Sequence, residues 1–91
     1  MPSRKVTISN RLGLHARPAM LLAERASTFS STIEIARADA GDAVDGKSIM
    51  QLLMLAGTSG TVLKITAEGD DAAAALAAIA ELIERGFEDD E

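Results

Sequence analysis

A single histidine, His15, stands in the segment NRLGLHARPAM at residues 10–20. The hydropathy pattern changes from strand-like to helix-like here, so we expect His15 to lie where a helix starts at Ala16. The free N–H groups of Ala16 and Arg17, together with the Arg17 guanidinium, would favour an anion beside the imidazole. A neutral imidazole is a nucleophile that can receive a phosphoryl group and pass it on. The simpler alternative is that His15 is only a surface or capping residue.

A second motif, DGKSIM at residues 45–50, surrounds Ser48. Serine is a common N-cap residue, and Ser48 is predicted to begin a short helix over Ile49–Leu55. A hydroxyl at a helix start is accessible, so Ser48 is also a candidate for regulatory phosphorylation, which adds up to about two negative charges. The two roles are compatible.

The same short helix is predicted to carry a partly exposed apolar patch at Ile49, Met50 and Leu53. Core packing is the commoner explanation for such residues, but Leu52 and Leu55 can supply the buried face. We therefore expect the patch to be a docking surface for protein partners beside His15.

The segment GDAVDGKS at residues 41–48 also matches the phosphate-binding loop pattern G-x-x-x-x-G-K-[ST]. Asp42 and Asp45 would place carboxylates in a cradle meant for polyphosphate. Too few residues follow Ser48 for the multi-stranded parallel sheet of nucleotide-hydrolysing folds. The match is therefore interpreted as fortuitous.

Composition argues against several other functions. The chain has 91 residues, a net charge of -5, one histidine and no cysteine. The negative charge argues against a nucleic-acid partner, because phosphate backbones need clustered Lys and Arg. Metal sites are not expected from so few ligand types, and no apolar stretch has the length of a signal peptide or membrane span. We predict a cytoplasmic monomer without a cofactor, a metal ion or contact with a membrane.

Hydropathy patterns along the chain predict the element order β-α-β-β-α-β-α. The predicted strands are Val6–Ser9, Thr32–Arg37, Ala43–Asp45 and Thr61–Ala67, and the predicted helices are residues 16–26, Ile49–Leu55 and Asp71–Arg85. A hairpin turn is predicted at residues 39–42. This order predicts an α+β fold of one domain over residues 1–91, with helices on one face of a mostly antiparallel sheet.

Several smaller features follow from the same patterns. The apolar face of the first helix is predicted to comprise Ala16, Ala19, Leu22, Ala23 and Ala26, and that of the last helix Leu76, Ile79, Leu82 and Ile83. Asp70 is predicted to cap the last helix. Phe87 is predicted to fold back onto the domain, and residues 88–91 to form an acidic solvated tail.

The segment GLHARPA at residues 13–19 resembles the active-site signature of HPr, the histidine phosphocarrier of the phosphoenolpyruvate-dependent phosphotransferase system. The resemblance implies a two-layer open-faced β-sandwich, with three helices covering a four-stranded antiparallel sheet. It also implies that enzyme I phosphorylates His15 at Nδ1, that Arg17 steadies the phosphoryl group, and that an enzyme IIA domain receives it. The DGKSIM segment resembles the family's regulatory serine region, which implies an HPr kinase/phosphorylase acting on Ser48.

Two questions stay open within this resemblance. The segment GKSIM resembles carbon-regulated HPr, whereas ISNRLG at residues 8–13 and the ending GFEDDE resemble NPr, the paralogue of nitrogen-linked regulation. A phosphocarrier is a relay rather than an enzyme that turns over a substrate. The alternative class is an interaction module that carries no phosphate, and the presence of His15 favours the carrier.

Overall fold

The structure, a computed structural model, describes residues 2–10, 13–39, 42–55 and 58–88. Its strands are β1 (Ser3–Thr7), β2 (Thr32–Arg37), β3 (Ala43–Asp45) and β4 (Val62–Glu68), and its helices are α1 (Ala16–Ser27), α2 (Ile49–Met54) and α3 (Ala72–Glu84). A 3-10 turn over Gly86–Glu88 follows α3. The predicted element order is confirmed.

The four strands form one antiparallel sheet in the order β1-β4-β2-β3. Ile33 and Ile35 in β2, and Leu63, Ile65 and Ala67 in β4, are buried and alternate with more exposed neighbours. The alternation read from the sequence is therefore confirmed. It turns one apolar face of the sheet toward the helices, as expected of an antiparallel sheet that is covered on one side.

The helices lie on that apolar face. α3 packs against β1 and β4, and α1 packs against α2 and α3. All four residues predicted for the inner face of α3 are buried. Phe87 is completely buried with a left-handed φ of 60° and joins the same core, so its predicted return onto the domain is confirmed. The open-faced sandwich is confirmed with these contacts.

Most element boundaries lie within one residue of the prediction, but β1 and the first residue of α1 differ from it in ways that have a physical reason. β1 begins at Ser3 rather than Val6 and ends at Thr7. As an edge strand it buries only Val6, and its polar residues join the sheet by pairing with β4, which hydropathy does not reveal. Ala16 is exposed rather than part of the buried face of α1, since it is the first residue of the helix.

The start of α3 was also assigned wrongly. Its N-cap residue is Asp71 rather than Asp70, and the Asp71 side chain makes no cap hydrogen bond. The carboxylate instead accepts hydrogen bonds from the Ser31 hydroxyl and from the backbone N–H groups of Ser30, at 2.9 Å, and Ser31, at 3.0 Å. These bonds, that of the Ser31 hydroxyl foremost, lower the pKa of Asp71 to about 2. The contact joins residues about forty positions apart, beyond the reach of local capping rules.

Some predictions fall outside the described residues. They concern positions 40 and 41 of the predicted hairpin turn, and positions 89–91 of the predicted tail. Glu88, which was assigned to that tail, belongs to the 3-10 turn instead. No helix within the described ranges is long and apolar enough to cross a membrane.

Candidate functional site

His15 is the N-cap residue of α1, with φ -106° and ψ -165°. Its backbone carbonyl accepts the first helical hydrogen bond, from the Ala19 N–H at 2.9 Å. Its side chain makes no cap hydrogen bond, so the simple capping role is not what the imidazole does. The ring is half-buried and its Nε2 atom is enclosed.

The first turn of α1 supplies the positive end of a helix beside His15. The N–H groups of Ala16 and Arg17 have no acceptor within the helix, and Pro18, the buried third residue, has no N–H to satisfy. Arg17 is exposed, and no acidic residue lies in this turn. The helix start can therefore accommodate an anion through two amides, the helix dipole and a guanidinium.

The loop before His15 turns sharply at Gly13, which has a left-handed φ of 74°. Asn10, which sequence reasoning missed, holds the turn: its Nδ2 donates to the Gly13 carbonyl at 2.7 Å, and its own carbonyl accepts from the Gly13 N–H at 3.2 Å. The signal that could have found it is the preference of asparagine for turns.

Ser48 is the N-cap of α2, as predicted, and its hydroxyl accepts a hydrogen bond from the Gln51 N–H at 3.3 Å. The side chain is half-buried. Gly46 precedes it where the chain passes close to β2, because a Cβ at Gly46 would lie 2.8 Å from a methyl carbon of Ile33. The fold therefore explains both residues of this motif: Gly46 allows the close approach to β2, and Ser48 caps α2.

The hydrogen bonds made by Lys47 argue against a nucleotide-binding loop at residues 41–48. The Lys47 ammonium donates to the Phe29 carbonyl at 2.9 Å, and the Lys47 N–H donates to the Asp45 carboxylate at 2.9 Å. These are groups that a phosphate-binding loop turns toward its nucleotide. Gly41, which begins the pattern, lies outside the described residues.

The predicted apolar patch is exposed as expected. Ile49 is 41% exposed, Met50 78% and Leu53 40%, while Leu52 and Leu55 are buried in the core. Two further exposed methionines were missed: Met54, 78% exposed, follows Met50 by one helical turn, and Met20, 38% exposed, follows Arg17 by three residues on α1. We use apolar patch below for Ile49, Met50, Leu53 and Met54 together.

The apolar patch lies next to the helix that begins at His15. A shallow groove between the two helices is lined by the last turns of α1, including Glu24 and Ser27, and by the start of α2 at Ser48 and Ile49. α1 and α2 pack against each other, and the start of α2 lies at the last turns of α1.

No metal centre is formed by the part of the chain that the structure describes. Within it, no three His, Cys, Asp or Glu side chains come together in a way that could hold a metal ion.

A small antiparallel sandwich with a histidine at the start of its first helix has the arrangement of a histidine phosphocarrier. The family model described as "PTS HPr component phosphorylation site" matches residues 2–85. The chain therefore belongs to the HPr family, the phosphocarrier proteins of the phosphotransferase system.

Relatives with both family names match over nearly the whole chain. The chain is 42% identical to phosphocarrier protein NPr of Proteus mirabilis over 96% of each sequence. It is 41% identical to phosphocarrier protein HPr of Pseudomonas putida over 100% of each. Two solved HPr structures are similar. The structure from Thermoanaerobacter tengcongensis has a TM-score of 0.91 and 41% identity, and the match covers 100% of both chains. The structure from Bacillus anthracis has a TM-score of 0.85 and 39% identity, and the match covers 90% of this chain and 95% of the other.

Proposed function

We propose that this phosphocarrier accepts its phosphoryl group on Nδ1 of His15. The observation that carries the proposal is the position of His15 as the N-cap residue of α1, directly before the amide donors of Ala16 and Arg17. Burial of Nε2 leaves Nδ1 as the nitrogen for an incoming phosphorus atom.

The transfer needs no group that the chain lacks. The Nδ1 lone pair forms a bond to phosphorus while the bond between phosphorus and the donor breaks, and the electron pair of that bond leaves with the donor. In the second transfer the acceptor forms the new bond to phosphorus, and the N–P electron pair returns to Nδ1. The N–H groups of Ala16 and Arg17 and the Arg17 guanidinium balance the negative oxygens in both states.

Enzyme I is the proposed donor and an enzyme IIA domain the proposed acceptor, both docking on the apolar patch. An exposed apolar surface is typical of a protein-binding site, and this one lies on a helix that packs against the helix beginning after His15. Comparing a sugar-type and a nitrogen-type enzyme IIA as acceptors tests which pathway the chain serves. The monomeric state stays a prediction for sedimentation to test, since an HPr of Thermoanaerobacter tengcongensis, 42% identical, has been solved as a dimer.

The direct test of the carrier function is incubation with phosphoenolpyruvate and enzyme I, followed by mass measurement. We expect one acid-labile phosphoryl adduct in the wild-type protein and in Ser48→Ala, and none in His15→Ala. Arg17→Ala should form the adduct about tenfold more slowly, because one charge-assisted contact to the phosphoryl group is lost. An adduct that survives in His15→Ala would refute the assignment of the site.

We further propose that Ser48 is a regulatory phosphorylation site for an HPr kinase/phosphorylase. Its hydroxyl already accepts the Gln51 N–H, and a phosphate oxygen can keep that bond, so the fold should tolerate the modification. The added charge would lie next to Ile49 and Met50, where a docking partner removes water, so it should weaken docking.

The regulatory proposal is tested with the kinase and ATP. We expect an acid-stable phosphate that is absent from Ser48→Ala and retained in Ser27→Ala, an exposed serine of α1 that serves as the matched control. The phosphorylated protein should then accept a phosphoryl group from enzyme I more slowly. An equal rate before and after modification would contradict a regulatory role.

A further inference from the structure

Asn10 is a polar side chain buried beside the His15 loop, with 5% of its surface exposed. Its Nδ2 donates to the Gly13 carbonyl oxygen at 2.7 Å. The same oxygen accepts the backbone N–H of His15 at 3.1 Å. One carbonyl oxygen therefore joins the Asn10 side chain to the backbone of His15.

This shared oxygen belongs to the residue at which the chain turns before α1. Gly13 is in the left-handed region, and His15 is extended just before α1 begins. The direction of the Gly13 carbonyl sets where the His15 N–H lies, and with it where the imidazole stands relative to the first amides of α1. Leu14, which lies between them in the chain, is buried and packs in the core.

Asn10 lies next to the turn that follows α3. A Cβ placed at Gly86 would lie 3.7 Å from the Cβ of Asn10, an ordinary van der Waals distance. The neighbouring Ser9 makes a separate contact, since its hydroxyl lies 3.3 Å from the carbonyl oxygen of Glu84 at the end of α3. Asn10 therefore lies between this turn and the loop that contains Gly13.

The chemistry of the residue indicates that its donor is needed. The Oδ1 atom of Asn10 is buried without a hydrogen-bond partner among the described residues. Burying an amide oxygen in this way costs stability, so a residue that only filled space would better be apolar. The amide is explained if its Nδ2 must orient the Gly13 carbonyl.

We propose that Asn10 is a positioning residue for phosphoryl transfer, which acts on His15 through the Gly13 carbonyl. The inference rests on the proposed function, because it presumes that His15 carries the phosphoryl group. Small displacements of a reacting group cost rate rather than docking. The apolar patch lies on a different element, so loss of the Nδ2 donor should lower kcat and leave KM unchanged.

The test compares Asn10→Ala and Asn10→Asp, which both remove the donor, with Ser9→Ala as the matched control. Ser9→Ala removes a neighbouring side-chain contact to the end of α3 but leaves Gly13 untouched. The rate of phosphoryl transfer from enzyme I is measured over a range of carrier concentrations, under conditions where each variant is folded by circular dichroism. We expect kcat to fall about tenfold in both Asn10 variants and to stay within about twofold in Ser9→Ala, with KM within about twofold throughout.

A spectroscopic signature accompanies the rates. The amide resonance of His15 should shift in both Asn10 variants, because its acceptor oxygen is reoriented, and should stay in place in Ser9→Ala. If either folded Asn10 variant transfers with wild-type kcat and an unmoved His15 amide resonance, the inference is overturned. Failure of the proposed function is distinguishable, since then the wild-type protein would carry no phosphoryl group on His15.

Discussion

Substituting Met50 by glutamate tests whether the apolar patch is the docking surface. Met50 is 78% exposed and is the second residue of α2. Glutamate forms helices about as well as methionine, and a negative charge is favourable in the first turn of a helix. We therefore expect the free energy of unfolding of Met50→Glu to lie within about 0.5 kcal/mol of the wild-type value.

The effect on docking follows from the exposed fraction. Complete burial of a methionine side chain contributes about 1.5–3 kcal/mol, so the exposed part of Met50 offers a partner about 1–2 kcal/mol. Desolvating the introduced carboxylate adds to the loss. A total of about 2 kcal/mol corresponds to roughly a 30-fold fall in kcat/KM for transfer from enzyme I, carried by KM because His15 is untouched.

The assay is the initial rate of phosphoryl transfer at several carrier concentrations. Ala73→Glu is the matched control, since Ala73 is exposed and is the second residue of α3. It adds the same charge at the same helix position, away from the patch, and should transfer at close to the wild-type rate. If Met50→Glu has a wild-type KM, or if Ala73→Glu loses as much activity, the patch is not the docking surface.

Three further substitutions test other parts of the structure. Asp71→Asn should lower the melting temperature at pH 7. Folding lowers the pKa of Asp71 from 3.8 to about 2, so the carboxylate contributes fully to the stability of the fold above about pH 4. The difference from the wild type should therefore shrink as the pH falls from about 4 to 2, and a difference that grows over that range would contradict the assignment. Gly13→Ala should lower the free energy of unfolding, measured in urea, by about 1–2 kcal/mol, because Gly13 has a left-handed φ of 74° that alanine disfavours. The same substitution should slow phosphoryl transfer. Phe87→Ala should lower the free energy of unfolding by about 3 kcal/mol, because the ring is completely buried. A decrease of less than about 1 kcal/mol would refute the place of Phe87 in the core.

The parts of the fold that sequence predicts well are those governed by local patterns. Alternation in β2 and β4 identifies the buried faces, and helical spacing identifies the inner face of α3. The start of α1 at His15 and the cap at Ser48 follow from signals a few residues long. These features depend on neighbours in the chain, so the sequence contains them directly.

The parts that sequence misses depend on residues far apart in the chain. The polar start of β1 is strand only because β4 pairs with it. Asp71 serves Ser30 and Ser31 rather than its own helix. Asn10 is buried and lies beside the turn that follows α3, and nothing near position 10 reveals this. Each of these contacts exists only after the chain has folded.

The contact of Ser9 with the end of α3 joins residues about 75 positions apart. During translation the segment around Ser9 leaves the ribosome before the end of α3 is synthesised. This contact can therefore form only after α3 has been made, so the amino-terminal segment completes its packing late in the formation of the fold.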